Sequence, residues 1–155
     1  MAPDQAATLV QEWLAAQPDL DAERAGERSW LAVLAGERKR TIPVYLEVGE
    51  HTLAVESFFM RAPDENQAEV YRRLLERNMR TYVLRFALGP GGDVMLVGLL
   101  PLHALTAEEL DRLMGQLLEA ADGAFDEALR AGFASYIERE QAWRARVGAG
   151  RNSIT

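Results

Sequence analysis

Apolar residues recur at two different periods along this chain, and the period changes at prolines and glycines. Leu9, Val10, Trp13 and Leu14 follow Asp4 at helical spacing, which predicts a short amphipathic helix over 4–16 with Asp4 as its N-cap and Pro18 as its end. The stretch Pro18 to Glu27 is polar and acidic and reads as a connection. A first strand is expected from Trp30 to Ala35, then a turn at Gly36 to Lys39. Ile42, Val44, Leu46 and Val48 then alternate with Thr41, Pro43, Tyr45 and Glu47, the period of a strand with one buried face. Pro43 places that strand at an edge or a bulge. Gly49-Glu50-His51 turns the chain into a third strand, Thr52 to Met60, completing a three-stranded meander.

The second half repeats the change of period. Asp64 with Gln67 has capping-box spacing, and Val70, Tyr71, Leu74 and Leu75 form an apolar stripe on a helix reaching about Met79. Tyr82, Leu84, Phe86 and Leu88 alternate, Gly89 to Asp93 turns, and Val94 to Leu100 returns as an apolar run ended by Pro101. Thr106 and Glu109 form another capping box ahead of Leu110, Leu113, Met114, Leu117, Leu118, Phe125, Leu129, Phe133, Tyr136 and Ile137, one long helix with a bend near Gly123 or Gly132. The fold class is therefore α+β, in the order helix, three-strand antiparallel meander, helix, two-strand hairpin, long C-terminal helix. Residues 1–147 are expected to form one domain and 148–155, with Gly148, Gly150 and Asn152, a flexible tail.

Composition narrows the function classes. A chain of 155 residues, 48% hydrophobic and 26% charged, matches a single ordinary globular domain. Its net charge of −7 lacks the basic footprint that phosphate backbones require, so nucleic acid is not an expected partner. The absence of cysteine excludes disulfides and thiolate metal sites. The first 17 residues carry Asp4 and Glu12 and no basic segment, so neither export nor membrane insertion is suggested and the cytoplasm is the expected location.

Candidate chemistry is sparse. Gly89-Pro90-Gly91-Gly92 precedes a strand and Asp93 rather than a helix and a lysine, which makes it a hairpin turn and not a phosphate loop. His51 and His103 have no metal-ligand spacing, and Ser29, Ser57, Ser135 and Ser153 lie in no nucleophile-elbow setting. Neither cofactor nor metal is expected. Arg72, Arg73, Arg77 and Arg80 concentrate basic charge on the middle helix, but Glu69 with Arg73 and Glu76 with Arg80 have the i,i+4 order of a solvated face. Apolar residues on both faces of the strands are more informative, because helices on one side cover only part of a sheet. Trp30 or Leu31, Tyr45, Phe58, Met60 and Val83 fall on the less consistently apolar faces.

The segments AEVYRRLLERN (68–78), TYVLRFAL (81–88), DVMLVGLLPL (93–102) and LTAEELDRLMGQLLEAADGAFDEAL (105–129) resemble the bacterial YbjN-like family of sensory transduction regulators, whose members look like class I type III secretion chaperones in fold. The resemblance implies an antiparallel sheet backed by helices and a self-association surface on the middle helix and its neighbouring strand. Here that surface would comprise Val70, Tyr71, Leu74, Leu75, Tyr82, Leu84 and Phe86. The expected function is a non-enzymatic protein-binding module, chaperone-like or a regulatory adaptor, acting as a homodimer on another protein through sheet edges and apolar strand faces, with Trp13, Trp30, Tyr45 and Phe58 as partner anchors. Two readings stand beside it: a small-molecule-sensing regulatory domain, and an enzyme whose site is assembled around His51 or His103.

Overall fold

The structure is a computed structural model and describes residues 1–148. The tail expected at 148–155 lies, beyond Gly148, outside the described residues. Helix α1 runs from Pro3 to Ala15, with proline at its first position, where a missing N–H is harmless. Its N-cap is Ala2, two residues ahead of the expected Asp4. The Ala2 amide donates to Gln5 Oε1 at 3.1 Å, and Asp4 sits in the first turn, where its charge suits the helix dipole.

Four strands follow instead of three: β1 (Asp21–Gly26), β2 (Ser29–Leu34), β3 (Ile42–Val48) and β4 (Thr52–Met60). The segment read as a polar connection is β1. All six of its residues are exposed, so no alternation marks it, and it is held by backbone pairing with β2. After α2 (Gln67–Asn78), β5 (Arg85–Leu88) and β6 (Val94–Pro101) form the second hairpin. One antiparallel sheet results, in the order β1-β2-β3-β4-β6-β5.

Pro43 therefore lies on an interior strand, not an edge. Its position is still intelligible, because β3 pairs with β4 only from Tyr45 onward, and at Pro43 the ladder is replaced by Ser57 Oγ donating to the Pro43 carbonyl at 2.6 Å. The start of β5 is also displaced from the sequence expectation. Val83 has φ 64°, a rare value for a β-branched residue, and the Leu84 amide donates to the Tyr82 carbonyl across it at 2.6 Å, closing a γ-turn. Gly98 on β6 makes room for this turn, since a Cβ there would lie 3.1 Å from Val83 Cγ1, the Val83 carbonyl and Leu84 Cδ2.

Helices α1, α2 and the long α3 (Ala107–Gly132) pack against β3, β5 and β4. The core between them is filled by Trp30, Leu46, Leu53, Val55, Phe59, Leu96, Leu110, Leu113 and Leu117, all nearly inaccessible. The capping box at Thr106 forms as expected on its backbone side, with Thr106 Oγ1 accepting from the Glu109 amide at 3.0 Å. The bend falls after Gly132. Phe133 leaves helical geometry, and α4 (Ala134–Val147) begins after it.

The loop before α2 explains that break. Asp64 does not cap α2: its carboxylate meets Arg61 and its amide donates to the Gly132 carbonyl at 2.9 Å, while Asn66, with φ 54°, starts the helix. The Glu65 amide also donates to Gly132, and Asn66 Nδ2 donates to the Ala131 carbonyl at 2.8 Å. Glu65 Oε1 accepts from the Ser135 amide at 2.6 Å. One loop thus satisfies carbonyls left open at the end of α3 and an amide left open at the start of α4.

Candidate functional site

Two apolar surfaces remain once the core is filled. The first is a groove of about 280 Å³ between α2 and β5, lined by Tyr71, Leu74, Leu75, Phe86, Ala87, Leu88 and Val94. The i,i+3,i+4 stripe of α2 supplies one wall and residues of β5 and β6 the other. Leu75 is 64% exposed at its rim, Leu88 is exposed at its far side, and Met79 at the end of α2 is 86% exposed.

The seven residues expected to form a self-association surface divide into three groups. Val70, Leu74, Leu84 and Phe86 are buried in the single chain and underlie the surface. Tyr71 and Leu75 line the groove. Tyr82 lies apart from them, its hydroxyl donating to Glu109 at the start of α3 and its ring beside the Arg112 guanidinium. Leu88, at the end of the expected strand, also lines the groove, and Met79 is exposed at the end of α2. Their signal was present, Leu88 in the alternation from Tyr82 and Met79 at the end of the α2 stripe.

The main-chain edge beside this groove is already occupied. Asn78 at the end of α2 accepts from the Phe86 amide at 2.8 Å and donates to its carbonyl at 3.2 Å, while Arg85 Nη1 donates to the Leu84 carbonyl at 2.7 Å. Strand addition at β5 is blocked at these groups, a common protection of edge strands. What the groove offers is side-chain surface.

The second surface is the face of the sheet turned away from the helices. Leu31, Val33, Phe58 and Leu99 are exposed there, with Tyr45, Ala54, Met95 and Val97 half-buried among them. Of the four expected partner anchors, Tyr45 and Phe58 lie on this face. Trp13 and Trp30 do not. They are only 7% and 1% exposed, and their indole N–H groups are spent inside the molecule, on Asp111 Oδ1 at 2.9 Å and Gln11 Oε1 at 2.8 Å. A buried indole needs such an acceptor, and these two bonds tie α1 to α3 and to β2.

The basic residues of α2 are largely paired. Arg73 bonds Glu69 and Glu127, Arg77 reaches Glu127 and the Gly123 carbonyl, and Arg72 pairs with Glu76 in place of the expected Arg80. Hydrogen bonds from Arg73 hold the Glu127 carboxyl below the usual carboxylate range against the opposing effect of burial. This network joins α2 to α3. A second anchor fixes the turn before β3, where Asp122 Oδ1 accepts from the Arg38 and Lys39 amides at 2.6 and 2.8 Å. Burial pushes the Asp122 carboxyl up, but those amides and the Arg38 charge outweigh it and hold it low.

His51 and His103 are brought to the same end of the sheet, the His51 carbonyl accepting from the Leu102 amide at 2.9 Å, and both side chains are exposed. Among the described residues no three His, Asp or Glu side chains converge as a metal site. No described helix is long and apolar enough to cross a membrane.

Comparison with known proteins agrees with this architecture. Uncharacterised proteins of Mycobacterium tuberculosis and Mycobacterium leprae are 49% identical over 115 residues and 41% identical over 121, covering 74% and 78% of this chain. Those matches cover 63% and 66% of the mycobacterial proteins, so the chain spans just under two thirds of their length. The heterodimeric ExoU–SpcU complex from the type III secretion system of Pseudomonas aeruginosa contains a chain of similar fold, with TM-score 0.50 and 16% identity over 75% of this chain and 94% of that one. The α+β, type III secretion chaperone-like fold expected from the sequence is the fold observed. The model of the YbjN family, described as putative bacterial sensory transduction regulator, matches residues 6–130, and the chain belongs to that family.

Proposed function

We propose that this protein is a non-catalytic protein-binding module, chaperone-like or an adaptor, that acts in the cytoplasm as a homodimer joined through the α2 and β5 groove. The observation that carries this is the combination of exposed Leu75 and Leu88 around an apolar groove with almost no polar lining. A small-molecule site needs a few convergent polar groups to orient its ligand, and the side chains lining this groove are apolar apart from Tyr71. Two copies meeting at α2 would bury each other's apolar rims without needing the occupied edge of β5. A stable interface requires about 1,600 Å² in total, within reach of a 12-residue helix and its neighbouring strand on each copy. Family membership and the likeness to a chain from a heterodimeric complex support the protein-binding part of this reading.

The test is the mass in solution by light scattering at micromolar concentration. Twice the chain mass is expected for the wild type and the single-chain mass for Leu75→Glu, with unchanged helix content in both. A wild type that is strictly monomeric removes the homodimer from the proposal.

A further inference from the structure

We infer that the outer face of the sheet docks an amphipathic helix of another protein, one carrying Lys or Arg beside its apolar stripe. The inference rests on the protein-binding reading above and names the chemistry of the partner. The register places Leu31, Tyr45, Glu56 and Val97 in one row across β2, β3, β4 and β6, with Glu47, Ala54 and Leu99 in the next and Phe58 beside Met95. Leu99 is 64% exposed and Leu31, Val33 and Phe58 are exposed as well. These residues adjoin one another across the strands, and none of the described helices covers them.

Charge selects the partner. Asp21 and Glu23 on β1 lie on the same face, opposite Val33 and Leu31, and with Glu47 and Glu56 they place four carboxylates around and within the apolar rows. None of the four enters an ion pair among the described residues, although eight other carboxylates do. Among the described residues the Glu47 carboxylate accepts from the Tyr45 hydroxyl, at 3.0 Å. In these rows the cation is Arg85, and its guanidinium is spent on Thr81 and the Leu84 carbonyl. An acidic face around apolar rows complements a basic rim around an apolar stripe, which also speeds encounter.

The geometry favours a helix over an extended strand. The interior of a sheet face offers side chains but no unpaired backbone, and a helix satisfies its own backbone groups while burying one stripe. The inner face of this sheet is already covered in that way by α3. The docked helix would form the third layer.

The experiment titrates the full chain with a labelled peptide of about 18 residues, built from Leu and Lys with a helical apolar stripe, and with its Leu–Glu counterpart. Fluorescence anisotropy should show binding of the Leu–Lys peptide alone. The double variant Glu47→Lys with Glu56→Lys should weaken it about tenfold or more, and Leu99→Ser should weaken it too. The pair Asp19→Lys with Glu138→Lys, the same charge change at exposed positions elsewhere, should weaken it far less. Equal losses from both pairs, binding of the Leu–Glu peptide, or no binding at all would overturn the inference. So would a change in the mass of the free protein on substituting Glu56, which would give the face to a second copy. Light scattering on the same samples separates the two proposals: a dimer that ignores the peptide sinks this one alone, and a monomer that binds it sinks only the self-association.

Discussion

Asn78 closes the edge of the sheet at Phe86, its side-chain amide both accepting from and donating to the Phe86 backbone. The Asn78 amide takes the place that a further strand would otherwise fill. Asn78→Ala should leave two part-buried backbone groups without partners and cost about 1–2 kcal/mol, measured by urea unfolding. It should also raise concentration-dependent strand pairing, seen as thioflavin binding or higher-order species, because an unprotected edge is a template for other chains. A variant as stable and as soluble as the wild type would show that Asn78 guards nothing.

Glu65 holds the junction of α3 and α4 from outside both helices. Its carboxylate accepts from the Ser135 amide and from Ser135 Oγ, at 2.6 and 3.1 Å. It acts as an N-cap supplied by a distant loop, and a negative charge at that helix terminus also suits the dipole. Glu65→Ala should lose about 1 kcal/mol, and hydrogen exchange should accelerate over 134–138 before it does in the sheet. Glu65→Gln should fall between the two. Uniform acceleration across the molecule would mean that the loop supports the whole fold instead of the junction.

The sequence carried the elements that bury a stripe and lost those defined by backbone alone. Alternation through β3, and the Thr106 cap with the long apolar pattern after it, were legible because one face of each element is buried. β1 was not: none of its six residues is buried, and only its pairing with β2 makes it a strand. Asp64 and Gln67 have the spacing of a cap, yet tertiary contact wins, because Asp64 is drawn to Arg61 and to the end of α3. The anchors separated for a related reason. Tryptophan in a sequence marks a large apolar group without saying which side of the sheet it serves, and the acceptors Asp111 and Gln11 that keep Trp13 and Trp30 inside come from other elements. Leu31 and Val33 could have been placed outward by counting two residues at a time from Trp30. Leu99 was hidden in a run apolar on both faces.

Lys39, the one lysine of the chain, is buried beside Phe125, with its ammonium 4.9 Å from the ring centroid. Its backbone is fixed there by Asp122, and Gly36 keeps the turn tight, since a Cβ at that position would stand 2.4 Å from the Lys39 carbonyl oxygen. Burial lowers the Lys39 pKa from its ordinary value, so desolvation of the cation outweighs the attraction of the ring. The sign of the pH dependence follows. Between the folded pKa and the unfolded value near about 10.4, the unfolded chain binds more protons than the folded one, and stability rises with pH across that window. Below it the charged amine carries its full burial cost. Lys39→Met keeps the volume and removes the charge, and should therefore be at least as stable as the wild type near neutral pH. The gap between the two should narrow as pH rises toward about 10. Urea unfolding of both proteins across that range measures it, and a gap that stays constant with pH would mean that Lys39 titrates alike in the folded and unfolded chain.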